Sequence, residues 1–142
     1  MIRILLFMVA APILSCAAQS CPWINTGTAA GILGGVVECK VTQTSCAFTR
    51  RDGKTFDTLN IEIETMANPQ NQFAKYLSAC KSKPVPLEAV GNEAVTCRAR
   101  HTGLTIGRVR DRAFVIRVTT NDRGATTEGR EVQAQAAARH VA

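Results

Sequence analysis

Few residues in this chain have the types and spacing to do chemistry. Glu62 and Glu64 stand two apart, so on a strand their carboxylates share one face. A carboxylate pair invites a hydrolase reading, but acid–base work needs burial that drives the two pKa values apart, and adjacent carboxylates on an open sheet lack it. His101 is a formal candidate for general base or metal ligand, yet no second ligand or nucleophile falls beside it by local spacing. His140 falls in the last turn of a C-terminal helical segment, where a partial positive charge suits the helix dipole. The chain contains no G-x-S-x-G, no phosphate-binding loop and no H-E-x-x-H. The expectation is a protein without a catalytic, metal or cofactor site. A hydrolase built on Glu62, Glu64 or His101 stands behind that as an alternative.

The arginines offer more. Arg98 and Arg100 alternate along one strand segment, and the expected register brings Arg108, Arg110 and Arg117 to the same face, with Leu104, Ile106 and Val115 between them. Guanidinium suits bidentate contact with carboxylate or phosphate. Such a band would be a binding surface for an anionic envelope component, a lipid head group or an acidic protein. The ordinary alternative is internal: Glu62 and Glu64 pair with these arginines across the sheet, or a helix covers the apolar residues among them. Nucleic acid is not expected as a partner, because exposed aromatics for base stacking are missing and the compartment is wrong. A second functional alternative is a secreted enzyme inhibitor presenting residues 81–86 from a stapled frame.

The compartment follows from the N-terminus. Arg3 precedes an apolar run over residues 4–14, and small residues follow over 15–18, the layout of a secretory signal. The run is too short for a membrane span, which takes about 20 residues. Cleavage after Ala18 would leave one domain over residues 19–142, secreted or periplasmic. The rival is a lipoprotein box over residues 13–16 with lipid on Cys16, in which case the protein is membrane-anchored. The net charge of +6 favours contact with anionic surfaces and says nothing of fold.

Six cysteines in 142 residues suit an oxidising compartment. If Cys16 leaves with the signal, five remain: Cys21, Cys39, Cys46, Cys80 and Cys97. No C-x-x-C occurs, so neither a zinc knuckle nor a redox pair is indicated. Cys80 ends the apolar stripe of a helix and Cys97 points inward from a strand, which favours their pairing. Cys21 could bridge to Cys46, leaving Cys39 as a buried, inert free thiol. A Cys39–Cys46 bridge with Cys21 free is the competitor.

These residues must be positioned by a small set of elements. Residues 25–35 read as a short helix, capped by Asn25 or Thr26 and stopped at Gly34 and Gly35. Val37, Cys39 and Val41 alternate with polar residues, as do Cys46 and Phe48, and Asp52-Gly53 signals a hairpin. Taken as its two central residues, that pair sets Cys46 opposite Leu59 and puts Leu59, Ile61 and Ile63 on the face of Cys46 and Phe48. Asn68 and Pro69 open a second helix with the stripe Phe73, Tyr76, Leu77 and Cys80, ended by residues 81–86. A second three-strand run follows. His101, Thr102 and Gly103 form its expected three-residue loop, with Gly103 left-handed. That register puts Thr105, Gly107 and Val109, and after a turn at Asp111-Arg112 also Phe114, Ile116 and Val118, on the face of Cys97. A last helix from about Thr127 buries Ala134, Ala137, Ala138 and Val141. The reading is α+β: an antiparallel sheet of about six strands in two meanders with three helices, α-βββ-α-βββ-α, stapled by disulfides.

Cys21-Pro-Trp-Ile, the run Ala29-Ala-Gly-Ile-Leu-Gly-Gly, Cys46-Ala-Phe and Gly91-Asn-Glu-Ala together resemble a family of small exported bacterial proteins, many of them lipoproteins, best known from actinobacteria. The resemblance implies an extracytoplasmic α+β domain with a bridge of the Cys21–Cys46 type. It supplies no activity and no catalytic residues.

Overall fold

The computed structural model describes residues 20–65 and 67–142. The leader expected over residues 1–18, with its cleavage point and Cys16, lies outside them. Three helices and seven strands alternate: α1 (Thr26–Leu33), β1 (Val37–Val41), β2 (Ser45–Asp52), β3 (Thr55–Thr65), α2 (Pro69–Leu77), β4 (Val85–Pro86), β5 (Glu93–Ala99), β6 (Thr102–Val109), β7 (Arg112–Thr120) and α3 (Thr127–Val141). The strands form one antiparallel sheet in the order β1-β2-β3-β7-β6-β5-β4. The two expected meanders are thus halves of one sheet, joined where β3 pairs with β7. The strand beyond the expected six, β4, is two residues of the segment expected only to break α2, laid on β5.

Local signals set the helix ends, as expected for both ends of α1 and the start of α2; α2 itself stops at Leu77, short of the expected Cys80. Asn25 Oδ1 accepts from the Thr28 amide at 2.7 Å, and Gly34 closes α1 in the left-handed region at φ 78°. Asn68 caps α2 with Pro69 behind it, and Thr126 caps α3.

The alternation of the strands sorts the sheet into two faces. One face carries Cys46, Phe48, Leu59, Ile61, Ile63, Phe114, Ile116 and Val118 against Leu33 of α1 and Ala134, Ala137 and Ala138 of α3. The other carries Cys97, Leu104, Ile106 and Val115 beneath Phe73 of α2, with Tyr76, Leu77 and Cys80 around it. Helix α2 contacts only the β6–β7 part of the sheet among the strands it touches closely. The same face of β1, β2 and β3 carries half-buried small and polar residues such as Ala47, Thr49, Thr58 and Asn60.

Two registers differ from expectation without changing faces. Asp52 pairs with Thr55, so the first turn is Gly53-Lys54 and Cys46 lies opposite Ile61, not Leu59. Gly53, at φ 58°, takes the first central position, and Asp52 is a strand end whose carbonyl accepts from Thr55 Oγ1. Val109 pairs with Arg112, which makes Arg110-Asp111 the second such turn.

A third register changes everything on β5. Ala99 pairs with Thr102, so the loop is Arg100-His101, and His101 itself takes the positive φ of 55°. The shift is odd, so β5 turns over relative to the expected pairing. Cys97 shares a face with Leu104 and Ile106, not with Thr105, Gly107 and Val109. Gly103 is a strand residue buried under α3: a Cβ there would meet the Arg130 backbone carbon at 2.4 Å. Close approach of a helix, and not a left-handed turn, is what requires glycine at this position.

Both favoured bridges are present. Cys21–Cys46 ties the entry of α1 to β2, and Cys80–Cys97 ties the end of α2 to β5. The free thiol expected at Cys39 is a misreading: Cys39 is disulfide-bonded, and no described cysteine is free.

Candidate functional site

The five arginines expected on one face are divided by the β5 register. Arg98 lies on the α3 side, where its Nε donates to Glu131 Oε1 of that helix at 2.8 Å. Arg108 and Arg117 lie on the α2 side. Arg108 donates to Glu93 on the neighbouring strand at 3.0 Å, and Arg117 donates to Glu62 across the β3–β7 seam at 2.7 Å. Leu104, Ile106 and Val115, expected between the arginines as contact surface, are buried beneath α2. The band of free guanidinium groups therefore does not exist. Odd and even positions of a strand face opposite ways, so the odd shift at β5 carried Arg98 away from Arg108 and Arg117.

Arg100 and Arg110 are turn residues. They occupy the two ends of β6, a strand of 8 residues, and so stand roughly 27 Å apart. Among the described residues neither makes an ion pair.

At the β6–β7 turn, Arg110 has company. Its backbone is held left-handed at φ 52°, with its amide donating to Asn92 Oδ1 at 2.5 Å. Asn92 is itself anchored by donating to the Arg108 carbonyl at 2.8 Å. Arg112, which opens β7 two residues later, is exposed and likewise makes no ion pair. Val109, Arg110, Asp111 and Arg112 line a cleft of about 400 Å³ whose far wall is Ala142. The last turn of α3, carrying Arg139 and His140, ends there. This tip is a hairpin end with two guanidinium groups that make no ion pair among the described residues, beside a helix C-terminus. Arg112 opens β7 instead of belonging to the expected turn pair Asp111-Arg112; its signal in the sequence is the run Arg108-Val-Arg110-Asp-Arg112, with one acid among three arginines.

The residues considered for acid–base chemistry do not converge. The row of the sheet through Glu62 crosses β7 at Val115 and β6 at Ile106. His101 lies five residues beyond that row, about 17 Å along the strand direction. Glu62 is engaged by Arg117, and Glu64 and His101 are exposed. Tyr76 of α2 stands near the two glutamates, and its phenol is raised above the usual tyrosine value. Burial is the main cause, opposed by a hydrogen bond with Gln72 and reinforced by the charges of Glu64 and Glu62. A raised phenol is the reverse of an activated base or nucleophile. His140 lines a separate cleft of about 260 Å³ with Cys21, Pro22, Trp23, Ile24, Asn25 and Thr28, and among the described residues no acidic or second basic side chain joins it there. Among the described residues no group of three His, Cys, Asp or Glu side chains is placed to hold a metal ion, and no helix is long and apolar enough to cross a membrane.

Residues 81–86, the loop of the inhibitor reading, lie flat along β5. The amides of Lys81 and Ser82 both donate to the Arg98 carbonyl, and Ser82 Oγ accepts from the Arg98 amide at 2.8 Å. Val85 and Pro86 continue as β4, with Val85 56 % exposed.

Compared with protein-family models, with curated proteins and with solved structures, the chain matches none.

Proposed function

We propose that this is an exported, non-catalytic binding module that engages an anionic component of the cell envelope through the β6–β7 tip. The observation that carries the reading is the partition of the arginines. Arg98, Arg108 and Arg117 are each neutralised by a glutamate, whereas Arg110 and Arg112 are left without one at the mouth of a cleft. Guanidinium groups held apart from internal acids are available for bidentate contact with phosphate or carboxylate. Export is supported by the leader-like order of charge, apolar run and small residues, and by two bridges of a kind that persist in oxidising compartments. It also agrees with what the motif resemblance implies.

The test is co-sedimentation with vesicles containing phosphatidylglycerol, at low and at physiological salt. Each arginine at an anionic surface contributes about 1 kcal/mol, so R110A/R112A is expected to bind roughly thirtyfold more weakly, with a flatter salt dependence. Removal of Arg98, which already has its partner in Glu131, is expected to leave binding unchanged. Equal binding by wild type and R110A/R112A would remove the tip from consideration.

A further inference from the structure

Arg130 faces the sheet from α3, on the stripe that continues through Ala134, Ala137 and Ala138. It is 4 % exposed, more deeply buried than any other charged residue described. Among the described residues no carboxylate reaches it: it takes part in no ion pair, and its one side-chain hydrogen bond runs from Nη2 to Thr127 Oγ1 at 3.4 Å. Its Nε and Nη1 are buried with no partner. An arginine keeps its charge, so burial cannot be relieved by losing a proton. A buried cation without a counter-charge is among the least favourable arrangements in a folded protein.

Its position makes the imbalance worse. The contact with Thr127 sets the guanidinium beside the first turn of a 15-residue helix, the positive end of the helix dipole. Thr126 Oγ1 accepts from the Gly129 amide at 3.3 Å, while the amides of Thr127 and Glu128 have no acceptor within the helix. The acid of this turn, Glu128, is exposed and does not pair with Arg130; Glu131 is taken by Arg98 and Asp57 by Arg50. The two orphaned guanidinium nitrogens and the open amides of the helix's first turn are donors whose combined positive charge favours an anionic acceptor.

We propose that the first turn of α3 and the buried guanidinium of Arg130 form a binding site for a small oxyanion. The ligand is an ion or the terminal group of a small molecule, since a residue this buried does not admit a chain segment. Phosphate, sulfate and carboxylate share the required chemistry. The site lies at the end of β6 opposite to the Arg110–Arg112 tip, because Gly103, not Val109, packs on the Arg130 backbone. It stands or falls independently of the tip.

The experiment is thermal unfolding of the whole exported protein and of R130M at fixed ionic strength in chloride, phosphate, sulfate or acetate. A ligand at tenfold its dissociation constant is expected to raise the wild-type melting temperature by roughly 3–5 °C, and R130M is expected to show no such rise. Which of phosphate, sulfate and acetate acts tells a tetrahedral oxyanion from a carboxylate. Should R130M not fold, calorimetric titration of wild type with each anion decides by itself. Identical wild-type melting in all four salts with no heat of binding, or the same rise in R130M as in wild type, would overturn the proposal.

Discussion

Removing the Cys80–Cys97 bridge is expected to cost the domain about 3 kcal/mol and to release α2 first. The two cysteines are 17 residues apart in sequence. In the chain-entropy account, closing a loop of that length stabilises the fold by about 3.1 kcal/mol at 25 °C. Cys97 is 2 % exposed in the cluster beneath α2, so trimming both residues to alanine adds a small cavity term of the same sign. The total is a large share of the roughly 5–15 kcal/mol available to a domain of this size. The location of the loss is as informative as its size. Helix α2 has 9 residues, too few to persist alone in water; Phe73, Tyr76 and Leu77 dock it on the β6–β7 part of the sheet, and the bridge ties its end to β5. The assay is urea unfolding of C80A/C97A beside wild type, analysed by linear extrapolation, with amide exchange read in parallel. Thiol reduction is not a substitute, since it would open Cys21–Cys46 as well. Amides of α2 should exchange well before those of β3 and β7. A loss below about 1 kcal/mol, with α2 protected as long as the central strands, would refute the reasoning: the apolar stripe would then dock the helix unaided.

Two further outcomes are expected. Gly103→Ala should destabilise by at least the roughly 1–3 kcal/mol of an overpacked core, because its new Cβ meets helix backbone that has no rotamer to change; a denaturation midpoint equal to wild type would contradict the close approach of α3 to β6. Tyr76 holds its proton more firmly when folded than when unfolded, so below the ordinary value of 10.0 it adds no pH dependence, and stability falls as pH rises through and above that value. Tyr76→Phe should flatten this alkaline fall, as read from melting temperature between about pH 9 and pH 11; an unchanged slope would mean that the phenol is not shielded by α2.

Helix ends, strand alternation and both described bridges were legible because each rests on chemistry local to a few residues: an asparagine before a helical stripe, a glycine at a helix end, a cysteine on an inward face. Registers were legible only in parity, and that failed where a glycine taken for a turn residue had another task. At the first hairpin Gly53 served the turn, and an error of one pairing step left every side chain on its proper face. At the second, Gly103 looked like a turn residue but is required by a helix that packs 27 residues later in the chain. Nothing near Gly103 in sequence reports the presence of Arg130. The pairing of β3 with β7 was hidden for the same reason: its partners lie between 47 (Thr65 and Arg112) and 63 (Asp57 and Thr120) residues apart, and alternation on each strand is satisfied by any neighbour of suitable parity.

The fate of the arginines follows from that one register. With β5 turned over, Arg98 meets a glutamate of α3, and Arg108 and Arg117 meet glutamates on adjacent strands. Sheet interiors bring charges of opposite sign within reach of each other at every row, so a charged strand residue tends to find an internal partner. At the β6–β7 tip the rows run out: Arg112 closes the last row, opposite Val109 and Thr65, neither of which is charged, and Arg110 stands beyond it. Asp111 lies between the two arginines and bridges to neither, so their guanidinium groups are left for an outside partner. Arg130 is the exception that sharpens the point, since it is uncompensated and buried at once. A tip arginine without a partner is solvated by water, but an interior one is not, and that difference is why emptying the site expected at α3 leaves a buried unpaired charge whereas emptying the tip leaves hydrated ones.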